Sequence, residues 1–97
     1  MKIWDKEIID AFAEKHADAN NALQRWVNIV ESVEWKSHAE LKINFPSADY
    51  VGNNRYAFNI RGNNYRLVVV VVFVARMLKI RFIGTHAEYD KIDCKTI

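Results

Sequence analysis

The chain has 97 residues, enough for one domain with one modest core. Apolar residues make up 51% of it, which excludes intrinsic disorder, and one proline with three glycines excludes a linker-rich or collagen-like design. The net charge of +2 hides an asymmetry: residues 1–43 carry 6 Lys/Arg against 8 Asp/Glu, whereas residues 44–97 carry 8 against 4.

The first third has helical spacing. Trp4, Ile8, Phe12 and His16 recur every four residues, with Ile9 and Ala13 widening the stripe and Asp5 placed to cap the start. The polar cluster Asp18-Ala19-Asn20-Asn21 breaks or restarts that helix. Leu23, Trp26, Val27, Val30 and Val33 then form the apolar stripe of a second helix, a core pattern rather than a cofactor box. Ser37-His38-Ala39-Glu40 fits the capping box, in which the serine hydroxyl and the glutamate side chain satisfy free helix N–H groups. A third helix is expected from about His38 to Ile43. It ends at Phe45-Pro46-Ser47, because proline pushes the preceding residue out of the helical region.

The second half changes to a period of two. Tyr56, Phe58 and Ile60 point one way, and Arg55, Ala57, Asn59 and Arg61 the other. Gly62-Asn63-Asn64 tolerates positive φ and predicts a hairpin turn. Tyr65–Ala75 follows as a strand, and its apolar run reads as a central strand with both faces covered. Arg76-Met77 is a second turn. A third strand, Leu78–Ile83, sets Ile80 and Phe82 against Lys79, Arg81 and Ile83. The fold class is therefore α+β, a single domain over residues 1–97 with N-terminal helices packed on one face of a small antiparallel sheet and a short C-terminal helix. The other sheet face is expected to be polar, basic and open.

Several function classes are excluded or disfavoured. Cys94, the only cysteine, allows no intrachain disulfide framework and no cysteine-based zinc site. His16 and His38 lack a carboxylate at metal-ligand spacing, and there is no phosphate-binding glycine loop or Gly-x-Ser-x-Gly elbow. No metal and no cofactor are expected. The segment Met1-Lys2-Ile3-Trp4-Asp5 lacks the apolar stretch of a signal peptide. The longest apolar run, Leu67–Ala75, has nine residues, against the roughly 20 that span a bilayer. A soluble cytoplasmic chain with no membrane partner is expected.

What remains is concentrated in the basic half, and a basic half points to an anionic partner, of which nucleic acid is the commonest large one. Arg61, Arg66, Lys79 and Arg81 lie on or beside the meander. Strand alternation lets Lys79 and Arg81 share a face about 7 Å apart. Guanidinium groups hold phosphate bidentately, so such a face suits an RNA backbone, although each arginine taken alone also reads as an ordinary solvated side chain. In Gly84-Thr85-His86-Ala87-Glu88, Thr85 and Glu88 form a second capping box, and Glu88 reads as a cap rather than a catalytic acid. His86 falls in the first helical turn, three residues before Tyr89. It reads equally as a structural histidine closing the corner or as a group moving a proton to or from a ribose oxygen near neutral pH.

Four segments occur in an order and spacing that resemble one known family. They are Leu41-Lys42-Ile43-Asn44-Phe45-Pro46-Ser47-Ala48-Asp49, Tyr56-Ala57-Phe58-Asn59-Ile60, Gly62-Asn63-Asn64-Tyr65-Arg66-Leu67-Val68 and Ile83-Gly84-Thr85-His86-Ala87-Glu88-Tyr89-Asp90. Residues 41–93 resemble the HigB toxins of the RelE-like toxin–antitoxin group. The resemblance implies helices on an antiparallel sheet and a ribosome-dependent endoribonuclease that enters the ribosomal A site and cuts mRNA. It also implies a helix-turn-helix antitoxin partner, HigA, with promoter DNA bound only through the complex. It carries over directly onto Arg66, His86, Tyr89 and Asp90, and onto Arg81 by its place before the Gly-Thr-His block.

The combined expectation is metal-independent cleavage by attack of the ribose 2′-oxygen, leaving a 2′,3′-cyclic phosphate. His86, Arg66, Arg81 and Tyr89 are the expected catalytic residues, and Arg61, Lys79 and Asn59 the expected RNA-binding ones. Two alternatives are a non-catalytic RNA- or protein-binding module and a gyrase-poisoning toxin on the same fold.

Overall fold

Five consecutive valines lie at the middle of the sheet. In the computed structural model, which describes residues 1–97, the strand Tyr65–Val72 is third of five. The elements are β1 (Lys2–Trp4), α1 (Glu7–Lys15), α2 (Asn20–Glu31), α3 (His38–Asn44), β2 (Asp49–Gly52), β3 (Arg55–Ile60), β4 (Tyr65–Val72), β5 (Met77–Thr85) and α4 (His86–Tyr89). The strand order is β1-β5-β4-β3-β2. All pairs are antiparallel except β1 with β5. Central placement explains the valine run: Leu67, Val69 and Val71 are buried in the main core, and Val68 on the opposite face is buried too. β-branched residues suit both sides of a strand covered on each face along most of its length, with Val70 half-buried and Val72 exposed at its end.

The helices contribute Ile9, Leu23, Trp26, Val30 and Leu41 to one core with Phe58, Leu78 and Ile80. The α+β architecture read from the sequence is the one observed, with differences in detail. Trp4 belongs to a strand and not to the first helix. Asp5 has φ 65° and turns the chain, α1 begins at Glu7, and Trp4 is 47% exposed. The edge strand β2 is an addition to the expected three-stranded meander. Ser37 caps α3 by accepting from the Glu40 N–H, but the Glu40 carboxylate accepts from the Lys36 N–H, so the reciprocal half of that box is not made. Arg76, with φ 55°, makes the turn between β4 and β5 after a short 3-10 segment, Phe73–Ala75.

A bulge in β5 changes which side chains share a face. Ile80 lies opposite Val69 and Phe82 opposite Val68, so Arg81 is the residue left over in the ladder. The expected pairing of Ile80 with Phe82 is broken: Ile80 and Ile83 reach the main core, and Phe82 turns to the other side. No helix is long and apolar enough to cross a membrane.

Candidate functional site

Arg66 is the only charged residue buried in the molecule, at 6% exposure. It stands on the central strand, on the face away from α1, α2 and α3, opposite Asn59 of β3 and Gly84 of β5. Its Nη1 donates to Asn59 Oδ1 at 2.6 Å and its Nη2 to Asp49 Oδ2 at 3.0 Å. The guanidinium carbon lies 4.7 Å from the centroid of the Tyr89 ring, a cation–π arrangement. Burial opposes the charge, but Tyr89 and Asp49 outweigh it and hold the guanidinium above its usual pKa. Its Nε–H is buried and has no partner within the protein. A rigid cation with unspent donors is set up for an oxyanion.

Tyr89 comes from α4, a single turn closed by a full capping box. Thr85 Oγ1 accepts from the Glu88 N–H at 3.2 Å, and Glu88 Oε1 accepts from the Thr85 N–H at 2.8 Å. Those bonds hold the Glu88 carboxyl below its usual range, so Glu88 is a cap, as its spacing implies. Gly84 makes the corner possible: a Cβ there would lie 2.7 Å from Phe82 Cζ and 2.9 Å from Glu88 Oε1. The turn places His86 and Tyr89 on one side, with ring centroids 6.2 Å apart. Tyr89 also meets Phe82 at 6.4 Å, and its hydroxyl donates to Cys94 Sγ at 3.6 Å. Burial pushes the Tyr89 phenol up, against the pull of Arg66. The imidazole Nε2 of His86 is buried without a partner in the protein.

The fold therefore brings together Arg66, Asn59, Tyr89 and His86, and adds Asp49 and Cys94. Asp49 gives little sign of its role in the sequence, because β2 is too short to show alternation. The remaining expected residues are more dispersed. Lys79 pairs with Val70, four residues along β4 from Arg66 and so about 13 Å away by strand rise. Its amine lies 3.7 Å from Asp5 Oδ2. Arg61 is in the hairpin turn at φ 52° and bonds Asp18 Oδ2 at 3.0 Å. Arg81, at the bulge, is exposed and makes no ion pair. Asp90 caps the C-terminal end of α4, its N–H donating to the His86 carbonyl at 2.9 Å.

The sheet face is less open than expected. After α4 the chain returns to the β2–β3 turn, where Asn53 Nδ2 donates to the Lys95 carbonyl at 2.9 Å. Arg55 Nε and Nη2 donate to the Ile97 carbonyl at 2.8 and 2.6 Å. This segment bounds the Arg66 site on one side and spends Arg55 as a structural residue. No group of three His, Cys, Asp or Glu side chains is arranged to hold a metal ion.

Residues 19–92 match the HigB toxin family, the RelE-like toxic component of a toxin–antitoxin system. This chain belongs to that family. The match takes in α2 as well as the motif-bearing half. Among similar proteins, the mRNA interferase toxin HigB of Escherichia coli K12 is 36% identical over 91 residues, covering 91% of this chain and 86% of its own. The mRNA interferase HigB of Shigella flexneri matches to the same extent, 36% over 91 residues. That of Escherichia coli O6:H1 is 28% identical over 94 residues, covering 95% of this chain and 91% of its own. An antitoxin partner follows from the family.

Proposed function

We propose that this toxin is an endoribonuclease that cleaves mRNA during translation, working in the ribosomal A site without a metal ion. The observation that carries the reading is the buried Arg66, fixed by Asn59 and Asp49 and stacked on Tyr89, beside a histidine whose Nε2 has no partner in the protein. It occurs in a chain whose relatives are mRNA interferases. In the reaction the ribose 2′-oxygen attacks the neighbouring phosphorus. The new O2′–P bond forms as the P–O5′ bond breaks, giving a 2′,3′-cyclic phosphate and a 5′-hydroxyl. One proton leaves the 2′-hydroxyl and one reaches the departing 5′-oxygen. His86 handles one of these transfers.

Arg66 meets the negative charge that grows on the phosphoryl oxygens, exchanging Asp49 for the phosphate as RNA arrives. Arg81, free of ion pairs, supplies a second cation. Preorganised donors of this kind contribute about 2.7–4 kcal/mol each where they have been removed. Tyr89 orients Arg66 through its ring face. Asn59 holds the guanidinium plane, while Arg61 and Lys79 guide the backbone from the two ends of the sheet. The antitoxin is a helix-turn-helix protein of the HigA kind, and promoter DNA is bound only through the complex. The site of action is the cytoplasm.

The test is to add the protein to a translating extract and map mRNA ends, with and without ribosomes. Ends bearing 2′,3′-cyclic phosphate and 5′-hydroxyl, found only with ribosomes, are expected. Intact mRNA under both conditions would overturn the enzyme reading.

A further inference from the structure

Two of the three tryptophans, Trp26 and Trp35, are 2% exposed, whereas Trp4 is 47% exposed on the edge strand β1. Tryptophan is highly buried on average, so the exposed ring is the exception. The strand register fixes where it stands. Lys2 pairs with Met77 and Trp4 with Lys79, and Lys79 pairs in turn with Val70 of β4. Paired residues share a face of the sheet, as do alternate residues of one strand, so Val70 is on the face of Arg66. The bulge in β5 does not disturb this, because β3 and β4 pair without a break from Tyr65 to Val70. Lys2, Trp4, Lys79 and Arg66 therefore stand on one face, opposite the main core.

The surroundings of the ring are cationic and apolar. Lys2 Nζ lies 4.9 Å from the centroid of the Trp4 ring. Lys79 Nζ is 3.7 Å from Asp5 Oδ2, too long for a hydrogen bond, and 47% of its side chain is exposed. Asp5 is the one carboxylate within ion-pair distance of either lysine. Val70 and the 37% exposed Val72 add apolar surface on the same face. By strand rise and strand spacing, Trp4 lies about 16 Å from Arg66. Exposed Arg81 stands between them on β5, after Lys79 and before Gly84, the partner of Arg66. On its other side the Arg66 site is bounded by the C-terminal segment, pinned to Asn53 and Arg55. The open way from Arg66 therefore runs along β5 toward Trp4.

We propose that Trp4 is a stacking platform for a base of the mRNA flanking the cleaved bond, with Lys2 and Lys79 meeting the phosphates beside that base. An aromatic ring among cations on an open sheet face holds single-stranded RNA by stacking and by charge. Every base has a π-face, so the platform adds affinity and direction without a strong base preference. The inference rests on the endoribonuclease reading of the Arg66 site. An acidic segment of a protein partner fits the lysines, but the shared face and the open way along β5 favour a strand that continues from Arg66.

The experiment titrates the whole protein with uncleavable 2′-O-methyl RNA oligonucleotides of increasing length, with polyphosphate as an anion that has no bases. Nuclear magnetic resonance follows the three indole N–H signals of the wild type, and anisotropy of a labelled oligonucleotide gives affinity. Oligonucleotides long enough to span from Arg66 should shift the Trp4 signal saturably and leave Trp26 and Trp35 still. Trp4→Leu should weaken the long oligonucleotides about 5- to 150-fold, the range for one base–aromatic stack. It should bind polyphosphate as the wild type does, with Tm measured alongside. Trp4→Phe, which keeps a ring, should recover part of the loss. Lys2→Ala should lower the log–log salt slope of RNA binding by about 0.7, the share of one phosphate contact on a single strand.

A Trp4 signal that no oligonucleotide moves overturns the platform, whatever the variants do. So does a Trp4→Leu protein that binds long oligonucleotides as tightly as the wild type, or one that loses polyphosphate and RNA alike. A Trp4 signal that responds to the antitoxin but to no RNA assigns the face to a protein and overturns it as well. Intact mRNA on ribosomes, alongside the expected Trp4 shift and the Trp4→Leu loss, fails the endoribonuclease reading instead and leaves the platform standing as an RNA-binding surface.

Discussion

The guanidinium of Arg66 and the ring of Tyr89 face each other at 4.7 Å, joining the central strand to the last helix on the sheet face opposite the main core. Arg66 is thus a structural and an electrostatic residue at once. Arg66→Lys keeps the charge but loses the planar stack and the two-armed grip on Asn59 and Asp49. The variant should lose about 1–3 kcal/mol of stability, a charged hydrogen bond's worth, read as a fall in Tm of roughly 4–8 °C per kcal/mol. Cleavage should fall much further than the folded fraction does.

Asp49 holds Arg66 but is itself 61% exposed. A carboxylate so placed contributes little stability, about 0–1 kcal/mol, and competes with phosphate for the same donors. Asp49→Asn should leave Tm nearly unchanged and should tighten binding of an uncleavable RNA carrying 2′-deoxyribose at the cut. Weaker binding, measured at fixed salt, would show that Asp49 orients Arg66 rather than rivals the substrate.

Tyr89 offers a ring and a hydroxyl, and the two are separable. Its hydroxyl donates to Cys94 and lies close to Arg66, and burial raises the phenol's pKa against the pull of that guanidinium. Tyr89→Phe should retain most activity, and Tyr89→Ala should lose it with a drop in Tm, because the ring face contributes about 0.5–2 kcal/mol to holding Arg66. A large loss in Tyr89→Phe would assign the hydroxyl a chemical role.

Where periodicity was long, the sequence was easy to read. Five valines between turn residues mark β4 as central, and Thr85 with Glu88 marks the start of α4. Short elements carried no such signal. Trp4 continues a four-residue spacing that fits a helix, so a three-residue strand was hidden in it. Asp49–Gly52 is too short to alternate. The bulge at Arg81 has no local marker, since strict alternation is all that a strand's sequence offers. His86 and Tyr89 are three residues apart and share a side of α4, whereas Arg66 reaches Tyr89 through the pairing of β4 with β5. Asp49 is brought to its site by tertiary packing, which residue spacing does not record.

Stability should fall on the alkaline side for a defined reason. Tyr56 is held above the usual 10.0 chiefly by burial, Tyr65 chiefly by its bond to Asp18, and Tyr89 chiefly by burial. Each raised pKa means that the unfolded chain releases its proton first. Stability from these groups is complete below pH 10 and declines above it. Equilibrium unfolding from pH 8 to 11 should show this decline. Tyr65→Phe should reduce its slope, and an unchanged slope would remove Tyr65 from the explanation.

The anchoring of α4 should matter more to activity than to stability. Thr85→Ala removes the hydroxyl that accepts from Glu88 and should cost about 1 kcal/mol, as helix caps do. The loosened turn carries both His86 and Tyr89, so the cleavage rate should fall at saturating substrate with little change in RNA affinity.

The most direct measurement is the single-turnover cleavage rate of mRNA on programmed ribosomes, compared between the wild-type toxin and His86→Ala. Proton transfer by a positioned histidine is worth about 10²–10⁴-fold. The expected result is a loss of that size with ribosome binding and Tm preserved. A His86→Ala rate equal to wild type would contradict the assignment of proton transfer to this imidazole.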